Sequence, residues 1–360
     1  MLYPDKHLHK YLISTPAHMV GEYSTDDILI THAWPDLMSP SQRSSLMIES
    51  PVYRTYFAVV VRIENQDEKD SNKMKVFPNY HPYGDFISVC LSILFGKRFD
   101  HHGMMETHGF FCLPANIQQL PIGKPYWGPF NQKPRKDLSI ELNLEKVGLI
   151  SPLFIQKENK EAINIFYTAG LFYLRSLQIF EDQPEIAFVD LVTAGEVLSN
   201  FLISSDDAVL DDTIKKLLAE ISKYLPDPEK AINIIKSRLF QVSRKYTLTL
   251  SNYLNDNFFT ETESTNEHCA LKKDLIEKRI KASYDLRSRY VHTGLKFGTW
   301  MTSLNHIGAE IMIGEPLVED KEYQKLLMLS PTYLGLERIL RYSLLTFLHK
   351  NICKIDERLD

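Results

Sequence analysis

The apolar pattern of this chain changes its period once, near residue 158, and that change limits the fold more than any other feature. Upstream, short runs rich in β-branched and aromatic residues alternate with turn residues; downstream, apolar residues recur every three or four positions. The first pattern builds strands and the second builds helices packed on one another. The expected architecture is an α+β domain over residues 1–150, of sensor or regulatory role, followed by an all-α bundle over residues 151–360.

In the first part, Tyr53–Ile63 reads as a strand and the polar run Glu64–Lys73 as a loop. A helix is predicted over Gly84–Phe95, where Phe86, Val89, Cys90, Ile93 and Leu94 fall on one side, Asp85 can cap the start and Gly96 can stop it. Gly109–Leu113 and Leu138–Leu144 read as further strands, the second with clean period-two alternation. The Pro- and Gly-rich stretch Leu120–Phe130 between them can continue neither element and reads as a surface loop.

In the second part, Ile163, Phe166, Tyr167, Gly170, Leu171 and Leu174 make one stripe. Val189, Val192, Thr193, Glu196, Val197 and Phe201 make another. Leu210–Tyr224 and Pro228–Tyr253 continue the helical pattern, Asn255–Glu267 reads as an exposed acidic loop, and a long helix follows over Leu271–His292. Residues 295–329 are less regular, and Tyr333–Leu348 closes the chain as an amphipathic helix with Leu336, Ile339, Leu340, Ser343, Leu344 and Phe347 facing inward.

With 360 residues, 44% of them hydrophobic and 24% charged, the chain can bury two ordinary cores. A net charge of -5 excludes a general nucleic-acid coat protein, so RNA would have to be met by a local basic surface. Cys90, Cys112, Cys269 and Cys353 show neither disulfide nor zinc-ribbon spacing, which fits a reducing cytoplasm. Neither a signal peptide nor a run of 18 apolar residues is visible, so neither export by that route nor a membrane span is expected.

The residues that point to chemistry lie in Tyr284-Asp-Leu-Arg-Ser-Arg-Tyr-Val-His-Thr-Gly294, at the end of a predicted core helix. Arg287 offers a planar fork of donors that matches a phosphate, and His292 can move protons near neutral pH. An Arg followed at this distance by a His arises about once by chance in a chain of this composition, so context has to carry the assignment. Five helical positions turn a side chain by about 140°, so the two cannot stack on one face. Across a two-fold axis, however, two copies of the helix would bring together two arginines and two histidines. The plainer alternative is a helix C-terminus whose cations complement the last carbonyls.

That eleven-residue core, with the acidic Glu196 in Thr193-Ala-Gly-Glu-Val-Leu-Ser199 on an earlier apolar helix and one more amphipathic helix after it, resembles the HEPN superfamily, in particular its Apea-like branch. The resemblance covers roughly residues 155–355. It implies a small helical bundle that dimerises and cuts RNA without metal or cofactor, in phage defence, growth arrest or RNA processing. Arg287 and His292 would then be catalytic, with Glu196, Ser288, Arg289 and Tyr290 supporting the site. Ser288 stands where the family often has Asn, Asp or His, and Thr293-Gly294 lacks the tyrosine of one antitoxin-modified branch. Glu196 is equally readable as a partner in an ordinary buried ion pair, and Arg289 and Tyr290 as a solvated face.

A different class of function is a silent HEPN module that only dimerises or binds a nucleotide or partner. A third reading takes His101, His102, Glu106, His108 and Cys112 as metal ligands, but their spacing matches no recognised site; a polar loop is the simpler account, with Lys97 and Arg98 as a basic helix end. No phosphate loop, nucleophile elbow or His-Glu-x-x-His helix occurs, which leaves P-loop ATPase, serine hydrolase and zincin readings without residues.

Overall fold

Antiparallel pairing around one central strand organises the N-terminal part. The computed structural model describes residues 6–33, 54–64, 81–107, 110–112, 128–155, 159–201, 212–225, 228–238, 242–302 and 308–360. Among these, the strands are β1 (Lys6–Thr15), β2 (Tyr23–Ser24), β3 (Ile28–His32), β4 (Thr55–Glu64), β5 (Asp100–Thr107) and β6 (Phe110–Phe111). They form one sheet in the order β2-β3-β4-β1-β5-β6. Pairing of β1 with β4 runs without a slip from Lys6 opposite Glu64 to Thr15 opposite Thr55. Phe57, Val59 and Val61 alternate with less buried neighbours, the period-two pattern of a strand with one face on a core.

That face is covered by α1 (His81–Phe95), which packs against β1 and β5 and is buried throughout from Ile87 to Phe95. The helix begins three positions before the predicted start at Gly84, so Asp85 lies in its first turns and does not cap it. Gly96 ends it with φ +62°. A Cβ there would land on Arg341 and Arg135, so this turn needs glycine for space as well as for its left-handed backbone.

On its other side α1 meets the bundle: α2 (Lys160–Ile179), α3 (Pro184–Phe201), α4 (Asp212–Tyr224), α5 (Pro228–Arg238), α6 (Val242–Tyr253), α7 (Ile276–Thr293), α8 (Lys321–Leu329) and α9 (Tyr333–Asn351). Gly170 of α2 lets Val89 of α1 approach closely. One continuous hydrophobic core runs from the sheet through α1 into α2, α3, α6, α7 and α9.

Several expectations are corrected. Leu138–Leu144 is not a strand; it starts in a turn, runs on without regular structure and makes a single bridge, Asn143 to Val20, where the 3-10 helix Leu144–Ile150 begins. Its alternation reflects Leu138, Ile140 and Leu144 packing inward without a neighbouring strand to pair with. The polar stretch from His101 is not a loop, because β1 pairs with it along β5. Asn255–Glu267 contains the short helix Asp256–Thr260, capped by Asn255 and anchored by the fully buried Phe258. His108 and most of Leu120–Phe130 and of Glu64–Lys73 lie outside the described residues.

Helix α9 departs most from its expected role. Instead of a one-sided closing helix it is the centre of the bundle, buried on every side from Tyr333 to His349. Burial of Glu337, Arg338 and Arg341 is tolerated because each charge has partners. Arg135 donates from Nη1 and Nη2 to the Glu337 carboxylate at 2.9 and 2.8 Å, and Tyr173 Oη donates to Oε1 at 2.6 Å. Arg341 pairs with Asp137 at 2.9 Å and donates to the carbonyls of Ile93 and Leu94 at the end of α1. Arg338 pairs with Glu310 at 2.9 Å. Residues on both sides of position 150 therefore share one buried ionic network as well as one core.

Candidate active site

Three helices meet at Glu196. On α3, Gly195 has no side chain to oppose the Tyr246 ring of α6, which lets α6 lie close. Tyr246 Oη is hydrogen-bonded to Ser283 Oγ of α7 at 3.1 Å, and its ring lies 5.6 Å from that of Tyr284. This packing sets α7 beside α3, and Arg287 Nη2 donates to Glu196 Oε2 at 3.0 Å. Neither side chain is fully withdrawn from solvent, with Arg287 24% and Glu196 16% exposed. The Arg287 guanidinium also lies 5.9 Å from the Tyr284 ring centre, and its Nε is shielded without a hydrogen-bond partner.

Burial pushes the Glu196 carboxyl up from its ordinary value; Arg287 and a hydrogen bond from Tyr284 pull it back without cancelling the rise. Burial likewise raises the Tyr284 hydroxyl, and the neighbouring Glu196 charge adds to it. The arginine is thus held from one side in a fixed pose, with part of its fork still facing water.

The buried stripe of α7 comprises Ile276, Arg279, Ile280, Ala282, Ser283 and Leu286, and no later residue of the helix is buried. Residues 287–290 are half-buried against α3, α8 and Phe297, and only the end of the helix from Val291 is exposed. His292 is exposed there, one residue after Val291, itself 55% exposed, and Leu295 is 41% exposed just beyond the cap. Gly294 ends the helix with φ +69°, its N–H bonded to the Tyr290 carbonyl at 2.8 Å.

Of the predicted site residues, the structure joins Glu196 to Arg287 and leaves His292 on the exposed end of α7. Arg289 turns to α8, where it pairs with Asp320 and stacks 4.7 Å from the Tyr323 ring centre. Tyr290 packs on Phe297 with ring centres 5.3 Å apart, which ties down the segment after the helix. Ser288 is half-buried one turn before the exposed end of the helix.

The histidine cluster of β5 is split by strand alternation. His102 turns to one face and is hydrogen-bonded to Ser14 Oγ at 2.6 Å, Glu106 pairs with Lys10, and His101 turns to the other face, toward α1. There it meets Asp85 and His81, a grouping that was not predicted. Its signal in the sequence was the four-residue spacing of His81 and Asp85, which shares a helical face; the third member needed the β1–β5 pairing.

Compared with models of known families, with curated proteins and with solved structures, the chain has no match. Among the described residues no helix is long and apolar enough to cross a membrane.

Proposed function

We propose that this protein is a metal-independent endoribonuclease of the HEPN type, active in the cytoplasm, whose site forms where two copies of α7 meet. The observation that carries the reading is the arrangement on α7: an arginine oriented by Glu196 and Tyr284, followed by an exposed helix end that carries His292. Val291 and Leu295 place apolar surface beside that histidine, which suits a contact with a second copy better than contact with water.

In the dimer, one His292 takes the proton of the RNA 2′-hydroxyl, whose oxygen attacks the adjacent phosphorus. The bond from phosphorus to the 5′-oxygen breaks as the partner's His292 protonates that oxygen. Arg287 of each copy offsets charge on the phosphorane, and the products are a 2′,3′-cyclic phosphate and a 5′-hydroxyl. DNA has no 2′-hydroxyl and is not cut. A role in phage defence or growth arrest follows the same resemblance, with the N-terminal part receiving the trigger or a regulatory partner.

A second reading, a silent module, draws on the ion pair that already occupies one edge of Arg287. The two separate in one experiment. Light scattering gives the mass of wild type and of a Val291→Glu, Leu295→Glu variant, and both are assayed on RNA in EDTA. The proposal expects a dimer that cuts and a monomer that does not. A dimer inert on RNA under all activating conditions supports the silent module, and a variant that cuts as a monomer removes the composite site.

A further inference from the structure

His81 and Asp85 on the face of α1 turned toward β5, together with His101 of β5, bring three metal-ligating side chains into one cluster. We propose that His81, Asp85 and His101 bind a zinc-class transition-metal dication at the surface, with at least one coordination position open to solvent.

The geometry is set by the backbone. His81 and Asp85 lie one helical turn apart on α1, so both face the same way. His101 comes from β5, and its ring lies against Gly84, where a Cβ would collide with it. Contact with Gly84 shields Nε2, which has no hydrogen-bond partner, and turns Nδ1 toward the helix. Tyr11 holds the ring from the sheet side, edge-on with ring centres 5.6 Å apart.

Nδ1 of His101 lies 2.9 Å from Asp85 Oδ1, and Nδ1 of His81 lies 3.6 Å from Asp85 Oδ2. The three ligand atoms are all within 4.8 Å of one another. Around a tetrahedral ion with bonds of about 2.0–2.2 Å, ligand atoms stand about 3.4 Å apart. To reach that spacing the His101–Asp85 contact opens slightly and the wider separations close, a movement the His81 and Asp85 side chains have the exposure to make while His101, its side chain 4% exposed, stays in place.

Donor chemistry selects the ion. Two imidazole nitrogens and one carboxylate suit zinc and its first-row neighbours, whereas calcium and magnesium favour all-oxygen shells. Exposure is graded across the cluster, 4% for His101, 41% for Asp85 and 50% for His81. One wall is therefore fixed and the other open, so an ion can enter from solvent and keep water as a further ligand. Bound there, it would pin the start of α1 to β5.

This site shares no residue with α7, and its test stands apart from RNA cleavage. The full chain, stripped with EDTA and dialysed, is titrated with cobalt(II) and then with zinc. One equivalent of cobalt should develop visible ligand-field bands that zinc abolishes. His81→Ala and Asp85→Asn should each weaken binding by more than about 100-fold, beyond the loss that outer-shell changes produce. His81 is exposed enough for its variant to fold, which circular dichroism checks. Zinc should raise the Tm of the wild type and leave that of His81→Ala unmoved. Absence of a saturable cobalt spectrum, or binding and Tm shifts equal in wild type and both variants, would overturn the proposal.

Discussion

Removing the Glu337 carboxylate should cost this protein a large share of its stability. That group accepts three hydrogen bonds, two from Arg135 and one from Tyr173, with Arg135 and Glu337 side chains both fully buried. Glu337→Ala leaves Arg135 in the core with Glu263 at 3.0 Å and the Gly96 carbonyl at 3.2 Å, and leaves the Tyr173 hydroxyl without that acceptor. Breaking one side of such a pair costs about 3–5 kcal/mol, against a typical total of about 5–15 kcal/mol. Replacing both partners, Arg135→Met with Glu337→Leu, removes the stranded arginine and, with Glu263 still accepting from the Lys136 N–H, should recover part of the loss. Urea unfolding followed by circular dichroism and by tryptophan fluorescence measures this. Because the network and core cross position 150, both probes should report one transition, shifted in midpoint. A loss under about 1 kcal/mol for Glu337→Ala, or separate transitions with only one shifted, would refute the reasoning.

Three further outcomes are expected. Asp100 is held below its ordinary value because Arg54 and Arg98 outweigh the upward push of burial; the stability it adds is full above the unfolded carboxylate pKa of about 3.9 and is lost as pH falls through the lower folded value. The stability gap between wild type and Asp100→Asn should thus be constant near neutral pH and shrink toward zero in acid urea titrations; a gap that grows in acid contradicts the assignment. Gly96→Ala should cost clearly more than Gly294→Ala in thermal melts, since both pay about 1–2 kcal/mol for the left-handed backbone but only Gly96 has Arg341 and Arg135 in the way. Arg289→Ala should leave RNA cleavage nearly intact while Arg287→Ala abolishes it, because Arg289 is engaged with Asp320 and Tyr323 on α8; equal losses would place Arg289 in the site.

Local patterns were legible and long-range pairings were not. Periodicity located α1, α2, α3 and α7 but not always their faces: α1 is buried throughout from Ile87 to Phe95, Leu171 of the expected α2 stripe is exposed, and of the expected α3 stripe only Val192 is buried, the core face being Ala187, Phe188, Leu191, Ala194 and Leu198. β5 looked like a polar loop because His, Met and Glu carry little strand preference, and what makes it a strand is β1, some 90 positions upstream. Leu138–Leu144 alternated like a strand but has no ladder to join. For α9, the charged residues marked an outer face only as long as their partners were unknown; Arg135 and Asp137 lie about 200 positions away. At the site, the acidic residue on an apolar stripe pointed correctly to an arginine partner, and the choice of Arg287 over Arg289 came from the crossing of α3 and α7.

The most direct measurement of the central claim is the chemistry of the RNA ends. Wild type and His292→Ala are incubated in EDTA with an RNA that is cut at one place, and with the same RNA carrying a single 2′-deoxy nucleotide there. The account predicts 2′,3′-cyclic phosphate and 5′-hydroxyl ends from the wild type, no cut in the deoxy substrate, and a loss of at least about 100-fold in His292→Ala. Cleavage of the deoxy substrate, or undiminished cleavage by His292→Ala, would contradict it.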